Sequence, residues 1–161
     1  MSRREQIVMT AAEIDRYLDS QLTVIVISNG STGYPHPMPM HFCVYPDRAI
    51  GMTTYRKSQK VLNFQRDPKA TLLVESGEHY EELRSVLIYA RIEIIDDRDQ
   101  TAECMQACRR HSNGARGNAS TPAEDAEFAE ISLRRAEKRL VLKFHPEQYI
   151  SWDHGKLDGV Y

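Results

Sequence analysis

The chain has 161 residues, 41% hydrophobic and 27% charged, with 21 Lys+Arg against 23 Asp+Glu and a net charge of −2. This is the composition of an ordinary globular chain, read as a single domain over 1–161 and long enough to bury about 70% of its unfolded surface. A near-neutral balance argues against a nucleic-acid partner, and no apolar run approaches the roughly 18 residues that a membrane span needs.

The N-terminal "MSRREQIVMT" has a basic start with no apolar segment behind it, so no secretory signal is expected. Three cysteines, Cys43, Cys104 and Cys108, suit a reducing cytoplasm better than a disulfide framework. The first helix is announced by "MTAAEI": Thr10 caps, Glu13 reaches back, and Met9 and Ile14 form the staple. It runs to about Asp19. Leu22 to Ser28, "LTVIVIS", is β-branched and predicts a buried strand. "NGSTGYPHP" is turn chemistry. "MPMHFCVYP" alternates weakly, and Pro39 makes it an edge or bulged strand. It is expected to form a hairpin with the next strand, "AIGMTT".

"SQKVLNFQRDP" predicts a short helix that ends before Pro68. "KATLLVES" is a strand, "GEHYEEL" a helical turn or loop, and "SVLIYARIEIID" a long strand. The period then changes to that of a helix in "DRDQTAECMQACRRH". "SNGARGNAS" predicts a polar loop. "TPAEDAEFAEISLRRAEK" opens a second helix with Thr121 as cap, Pro122 at its first position and Glu124 reaching back. "RLVLKFHPEQYISWD" closes the chain with one strand or two. Six or seven strands with short links predict an antiparallel barrel with peripheral helices.

The stretch "TTYRKSQK", Thr53 to Lys60, concentrates cations and hydroxyls between a strand and a helix. Ser58 is the expected N-cap and Lys60 lies in the first turn. A helix N-terminus offers unpaired N–H groups and a positive partial charge, about 0.3–1 kcal/mol toward an anion when exposed. Charge-assisted bonds from Arg56, Ser58 and Lys60 to one phosphate outweigh that several-fold. The same cluster also suits a solvated turn, so spacing alone supports a phosphate with no name attached. The phosphate loop of nucleoside-triphosphate enzymes and the glycine signature of dinucleotide folds are both missing.

Together, "GYPHPMPMHF", "IGMTTYRKSQKVLNFQRDPKATLLVESG" and "YARIEIIDD" resemble the flavin-binding split barrels of the pyridoxamine 5′-phosphate oxidase-like family. The likeness runs from about Thr10 to Asp97 and returns in "RLVLKFHPEQYISWDHGKL"; residues 98–137 look like a helical insertion. The resemblance implies a six-stranded antiparallel split barrel of Greek-key type, paired as a homodimer with the cofactor at the interface. It implies an FMN-dependent oxidoreductase acting on a small molecule. The phosphate would be held by Arg56, Ser58, Gln59 and Lys60. The ribityl chain and ring edge would lie along Met38, Pro39 and Met40 and along Thr53 and Thr54, with Trp152 of the other subunit near the ring. A Pro-interrupted strand leaves ladder groups free for such a ring, although Met38 and Met40 also suit plain core packing.

Two departures shape the expectation. Vitamin oxidases of the family end in an Arg-containing substrate motif, whereas this chain ends "SWDHGKLDGVY" with no Arg after Arg139. The substrate and the catalytic residues therefore stay open. Relatives of this layout also bind a deazaflavin with an anionic tail, or haem, and Arg56 and Lys57 suit such a tail. A deazaflavin reductase and a non-catalytic carrier are the alternatives.

Other clusters are read more simply. Cys104, Cys108 and His111 share a helical face, but zinc would want a fourth ligand and tighter spacing, so no metal site is expected. His36 and His41 flank the proposed ring wall as candidate proton donors, with His41 expected to turn away or satisfy a backbone group. Asp153 and His154 are adjacent on an extended chain and are expected to face opposite ways.

Overall fold

The computed structural model describes residues 3–157; the N-terminal and C-terminal stretches quoted above each extend outside that range. Seven antiparallel strands form one sheet in the order β2-β1-β5-β6-β7-β4-β3. They are β1 (Thr23–Asn29), β2 (Pro35–His41), β3 (Cys43–Val44), β4 (Ile50–Tyr55), β5 (Lys69–Ser76), β6 (Arg84–Ile95) and β7 (Arg139–Asp153). Five helices accompany them: α1 (Arg3–Gln6), α2 (Ala11–Asp19), α3 (Gln59–Arg66), α4 (Arg98–Ala115) and α5 (Pro122–Ala136). Among the described residues, no helix is long and apolar enough to cross a membrane.

The expected strand "MPMHFCVYP" is in fact two, and the split closes the architecture. β2 pairs with β1 at one edge, while β3 pairs with β4 at the other. A single residue, Phe42, fully buried, separates them. Chain continuity across one residue forces the two edges of the sheet together, so the sheet must curl into a half-barrel. The expected hairpin is thereby reduced to two pairs, Cys43 with Gly51 and Val44 with Ile50, and the strand count rises from six to seven.

Pro39 does lie on an edge strand, as its missing N–H requires. Pro35, Pro37 and Pro39 occupy alternate positions opposite Asn29, Ile27 and Ile25. Their donor-free sides share one direction, away from β1, so the ladder is made by the residues between them. That leaves an outer rim of carbonyls unable to template another strand.

β7 is one strand of 15 residues. It pairs with β4 through its first half and with β6 along its length. Its register shifts opposite Tyr89 and Ala90, where Glu147 is the extra residue. The bulge accommodates Pro146 beyond the reach of β4.

The core lies inside the curl, where Phe64 of α3 meets the Phe144 ring edge-on at 5.6 Å. Thr10–Glu13 and Thr121–Glu124 form the two expected capping boxes, and Met9 and Ile14 are buried as the staple requires. Residues 98–137 do form helices. However, α4 runs to Ala115, into the stretch expected as loop. Ser112 is buried on its inner face, so packing overrides the weak propensity of "SNG".

Candidate functional site

At the end of β4, alternation sends consecutive threonines to opposite faces. Thr54 is buried toward the barrel interior, and Thr53 is half-exposed toward α4. The chain turns at Arg56 and Lys57, and the Ser58 N–H donates to Tyr55 O at 3.0 Å. Ser58 is the N-cap of α3 in an extended conformation, but its hydroxyl makes no capping bond. It lies instead 3.2 Å from Thr54 Oγ1. Lys60, in the first turn of α3, is only 8% exposed and donates to the same Thr54 Oγ1 at 3.1 Å.

The hydrogens of this corner point to an unfilled need. Thr54 Oγ1 accepts from Lys60 and shares a second hydrogen bond with the Ser58 hydroxyl, in which either oxygen can donate. Among the described residues, two of the three Lys60 N–H donors have no partner and Lys60 makes no ion pair. Burial alone pushes its pKa below the ordinary lysine value. An ammonium taken from water without a counter-charge is unfavourable unless an anion completes it.

Arg56 stands apart from that corner. Its Nε meets both Asp96 oxygens at 3.1 and 2.9 Å, and its Nη1 donates to Glu137 O at 2.8 Å. Its Nη2 donates to Asp96 Oδ1 at 2.5 Å and to Arg139 O at 3.3 Å. The guanidinium therefore ties the end of β6 to the junction of α5 and β7. Gln59 donates to Asn63 Oδ1 at 3.0 Å, beside a hollow of about 290 Å³ shared with Tyr34 and His36.

A second concavity, about 430 Å³, opens between the sheet and the two helices of the insertion. Pro39, Met40, His41 and Thr53 line it from the barrel; Met105, Cys108 and Phe128 line it from α4 and α5. Arg109, Arg116 and Arg139 also line it, and no carboxylate does. Arg109 lies over the Phe128 ring at 4.6 Å and Arg139 over the Tyr55 ring at 4.1 Å. Cations held on aromatic faces keep their charge for a ligand, so this cleft suits a flat anionic molecule.

The remaining expected residues fall elsewhere. Met38 is half-buried on β2 opposite Val26. Trp152, half-buried, pairs with Ser85 at the end of β7 remote from Arg139. Within one subunit it is therefore separated from Thr53 by most of the strand. His41 Nδ1 lies 3.0 Å from Leu22 O, satisfying a backbone group as anticipated. Asp153 pairs with Arg84 at 3.0 Å, while His154 meets Tyr80 O at 2.9 Å, so the two form no dyad. His111 also leaves its expected company, binding Gln21 O at 2.9 Å and packing on the Phe42 ring. Cys43 of β3 meets Cys104 and Cys108 in its place. Sequence reasoning missed Cys43 and the three cleft arginines; only a register placing β3 beneath α4 would have found them.

This half-barrel with a basic strand–helix corner has a known family. The family model described as pyridoxamine 5′-phosphate oxidase matches residues 10–153, and the chain belongs to that family. A conserved hypothetical protein of Mycobacterium tuberculosis superposes with a TM-score of 0.84 at 27% identity, covering 100% of this chain and 95% of that one. A putative 5-nitroimidazole antibiotic resistance protein of Bacteroides thetaiotaomicron gives 0.70 at 16%, covering 90% and 85%. A protein described as an F420 reductase gives 0.57 at 18%, covering 84% and 94%. The fold family also holds an FAD-binding protein of Mesorhizobium loti and a haem storage protein of Vibrio cholerae. No curated protein matches the sequence significantly.

Proposed function

We propose that the protein is a flavin-binding oxidoreductase in which the α3 corner holds the 5′-phosphate of FMN. One observation carries the reading: Lys60 is buried with Thr54 as its hydrogen-bond partner and no acid beside it. A phosphate brings close to two negative charges and several acceptor oxygens. It would take the free Lys60 donors, the Ser58 hydroxyl and the uncapped N–H groups that open α3, with Gln59 at its flank. Thr54 positions the ammonium, and Arg56 keeps the turn in shape through Asp96. Met38, Pro39, Met40 and Thr53 would follow the rest of the cofactor along β2 and β4. The bound flavin would supply hydride or electron transfer, and the protein's part is to bind, orient and exclude water.

The cofactor would sit between two copies of the chain, which is how Trp152 of a partner subunit would reach a ring that Trp152 of the same subunit is too far along β7 to meet. The substrate would be a small molecule. Three free thiols fit a reducing compartment such as the cytoplasm. A second reading, a deazaflavin reductase, is favoured by Arg109, Arg116 and Arg139 in a cleft lined by no carboxylate. Such a cleft suits a longer anionic tail.

Fluorescence titration of the purified protein with FMN and with a deazaflavin distinguishes the two. Lys60→Ala is expected to weaken whichever cofactor binds by about 10- to 150-fold, the loss of one charge-assisted contact of roughly 1.5–3 kcal/mol. Affinity unchanged by that substitution would remove the phosphate from this corner.

A further inference from the structure

The sulfur atoms of Cys43, Cys104 and Cys108 all lie within 4.8 Å of one another. Cys104 and Cys108 are one turn apart on α4, and Cys43 comes from β3, so the convergence is made by tertiary packing. All three thiols are free. Cys43 and Cys104 are buried, and Cys108 is half-buried. We infer that these three cysteines form a binding site for one soft, thiophilic metal ion of the zinc or cadmium type, with the fourth coordination position open toward the cleft that Cys108 lines.

The geometry suits three sulfur ligands. Around a tetrahedral ion with metal–sulfur bonds of about 2.3 Å, sulfurs lie roughly 3.8 Å apart. The present cluster closes to that spacing by side-chain shifts on the order of half an ångström. A sulfur-only donor set excludes magnesium and calcium, which take oxygen, and selects soft ions. His111 cannot supply a fourth ligand while it holds Gln21 O and Phe42.

The surroundings are built around the sulfurs. The Cys43 and Cys108 thiols both donate to Gly51 O at 3.6 Å. The Tyr45 ring roofs this spot and packs on the bare Cα of Gly51, where an added Cβ would lie 2.4 Å from Tyr45 Cε2. Two approaches reach the cluster. Cys108 lines the arginine-rich cleft, and Cys104 lines a smaller one with Glu103, Tyr45 and Lys143. Binding of a divalent ion sends the thiol protons to solvent and leaves three thiolates around one ion, a net charge of −1. Arg109 and Arg139 line the same cleft as Cys108.

The test uses the full chain, freshly reduced and metal-free, titrated with Cd(II) and then with Zn(II). The expected result is one ion per chain, a sulfur-to-cadmium charge-transfer band in the ultraviolet, and protection of all three thiols from a thiol reagent. Cys108→Ser, at the half-exposed position where folding is least affected, should weaken binding beyond the roughly 10–100-fold that loss of an outer-sphere partner costs. His111→Ala should keep full affinity. Reduced thiols that stay reactive in saturating Cd(II) would overturn the site. So would a metal-free protein that loses two thiols to a disulfide on mild oxidation and binds Cd(II) no better than Cys108→Ser. None of these readouts involves flavin, so the outcome is separate from the fate of the Lys60 corner.

Discussion

Arg56 and Lys60 belong to one basic stretch of sequence, yet the fold gives them opposite circumstances. Arg56 is 43% exposed, and its guanidinium is engaged with Asp96 and two carbonyl oxygens. Lys60 is 8% exposed and has one hydroxyl partner. Charge density alone does not mark a ligand site. What marks it is a cation that has lost its water without gaining an acid, because only then does an incoming anion recover a desolvation already incurred.

The largest stability effect should come from removing what little Lys60 has. Thr54→Val keeps the volume and deletes the acceptor, leaving the ammonium with no hydrogen bond in a buried position. We expect a loss of about 1–3 kcal/mol in urea unfolding of the free protein. Thr54→Ser should restore most of it. A free protein indifferent to Thr54→Val would mean that Lys60 is solvated after all, and the contrast with Arg56 would collapse.

Much of this contrast was invisible along the chain, for a definite reason. Capping signals are local, and Thr10, Ser58 and Thr121 each sit at the N-cap where they were read. The position of Lys60 in the first turn followed from Ser58. Partners are not local. Asp96 is 40 residues from Arg56, and nothing in "TTYRKSQK" says which cation will be met by an acid. The division of "MPMHFCVYP" into β2 and β3 was hidden likewise: strand alternation reports faces, not neighbours. Phe42 carries no break signal of its own. Cys43 was separated from Cys104 by the whole middle of the sheet, so α4 revealed two sulfurs and the wrong third partner.

A smaller effect has an unusual sign. Burial lowers the Lys60 pKa in the folded state, so between that value and the usual value of about 10.4 the unfolded chain holds more protons. Stability of the free protein therefore rises with pH across that window and falls as pH drops through the lowered pKa. Lys60→Met should flatten the dependence and stabilise the free protein by roughly 0.5–2 kcal/mol at neutral pH, while weakening cofactor binding. Cofactor affinity in the unaltered protein should decline as pH rises through the same lowered pKa, because the anion needs the ammonium form. A variant less stable than the original at neutral pH would show that the lysine already has its counter-charge.

The smallest expected change in affinity belongs to the other cation. Arg56→Ala removes the tie from the turn to Asp96 and to the carbonyls of Glu137 and Arg139, so the thermal midpoint should fall. Cofactor affinity should stay within about twofold, the ordinary range for a surface substitution away from a ligand. Asp96→Asn sharpens the point. It weakens the clamp while leaving Arg56 charged, so a phosphate that did recruit Arg56 would bind Asp96→Asn more tightly, the guanidinium having been released to it. Weaker binding in Arg56→Ala together with tighter binding in Asp96→Asn would place both cations in the anion site. Two unchanged affinities with a lowered midpoint would leave Lys60 as the residue that meets the anion and Arg56 as the one that holds its turn in place.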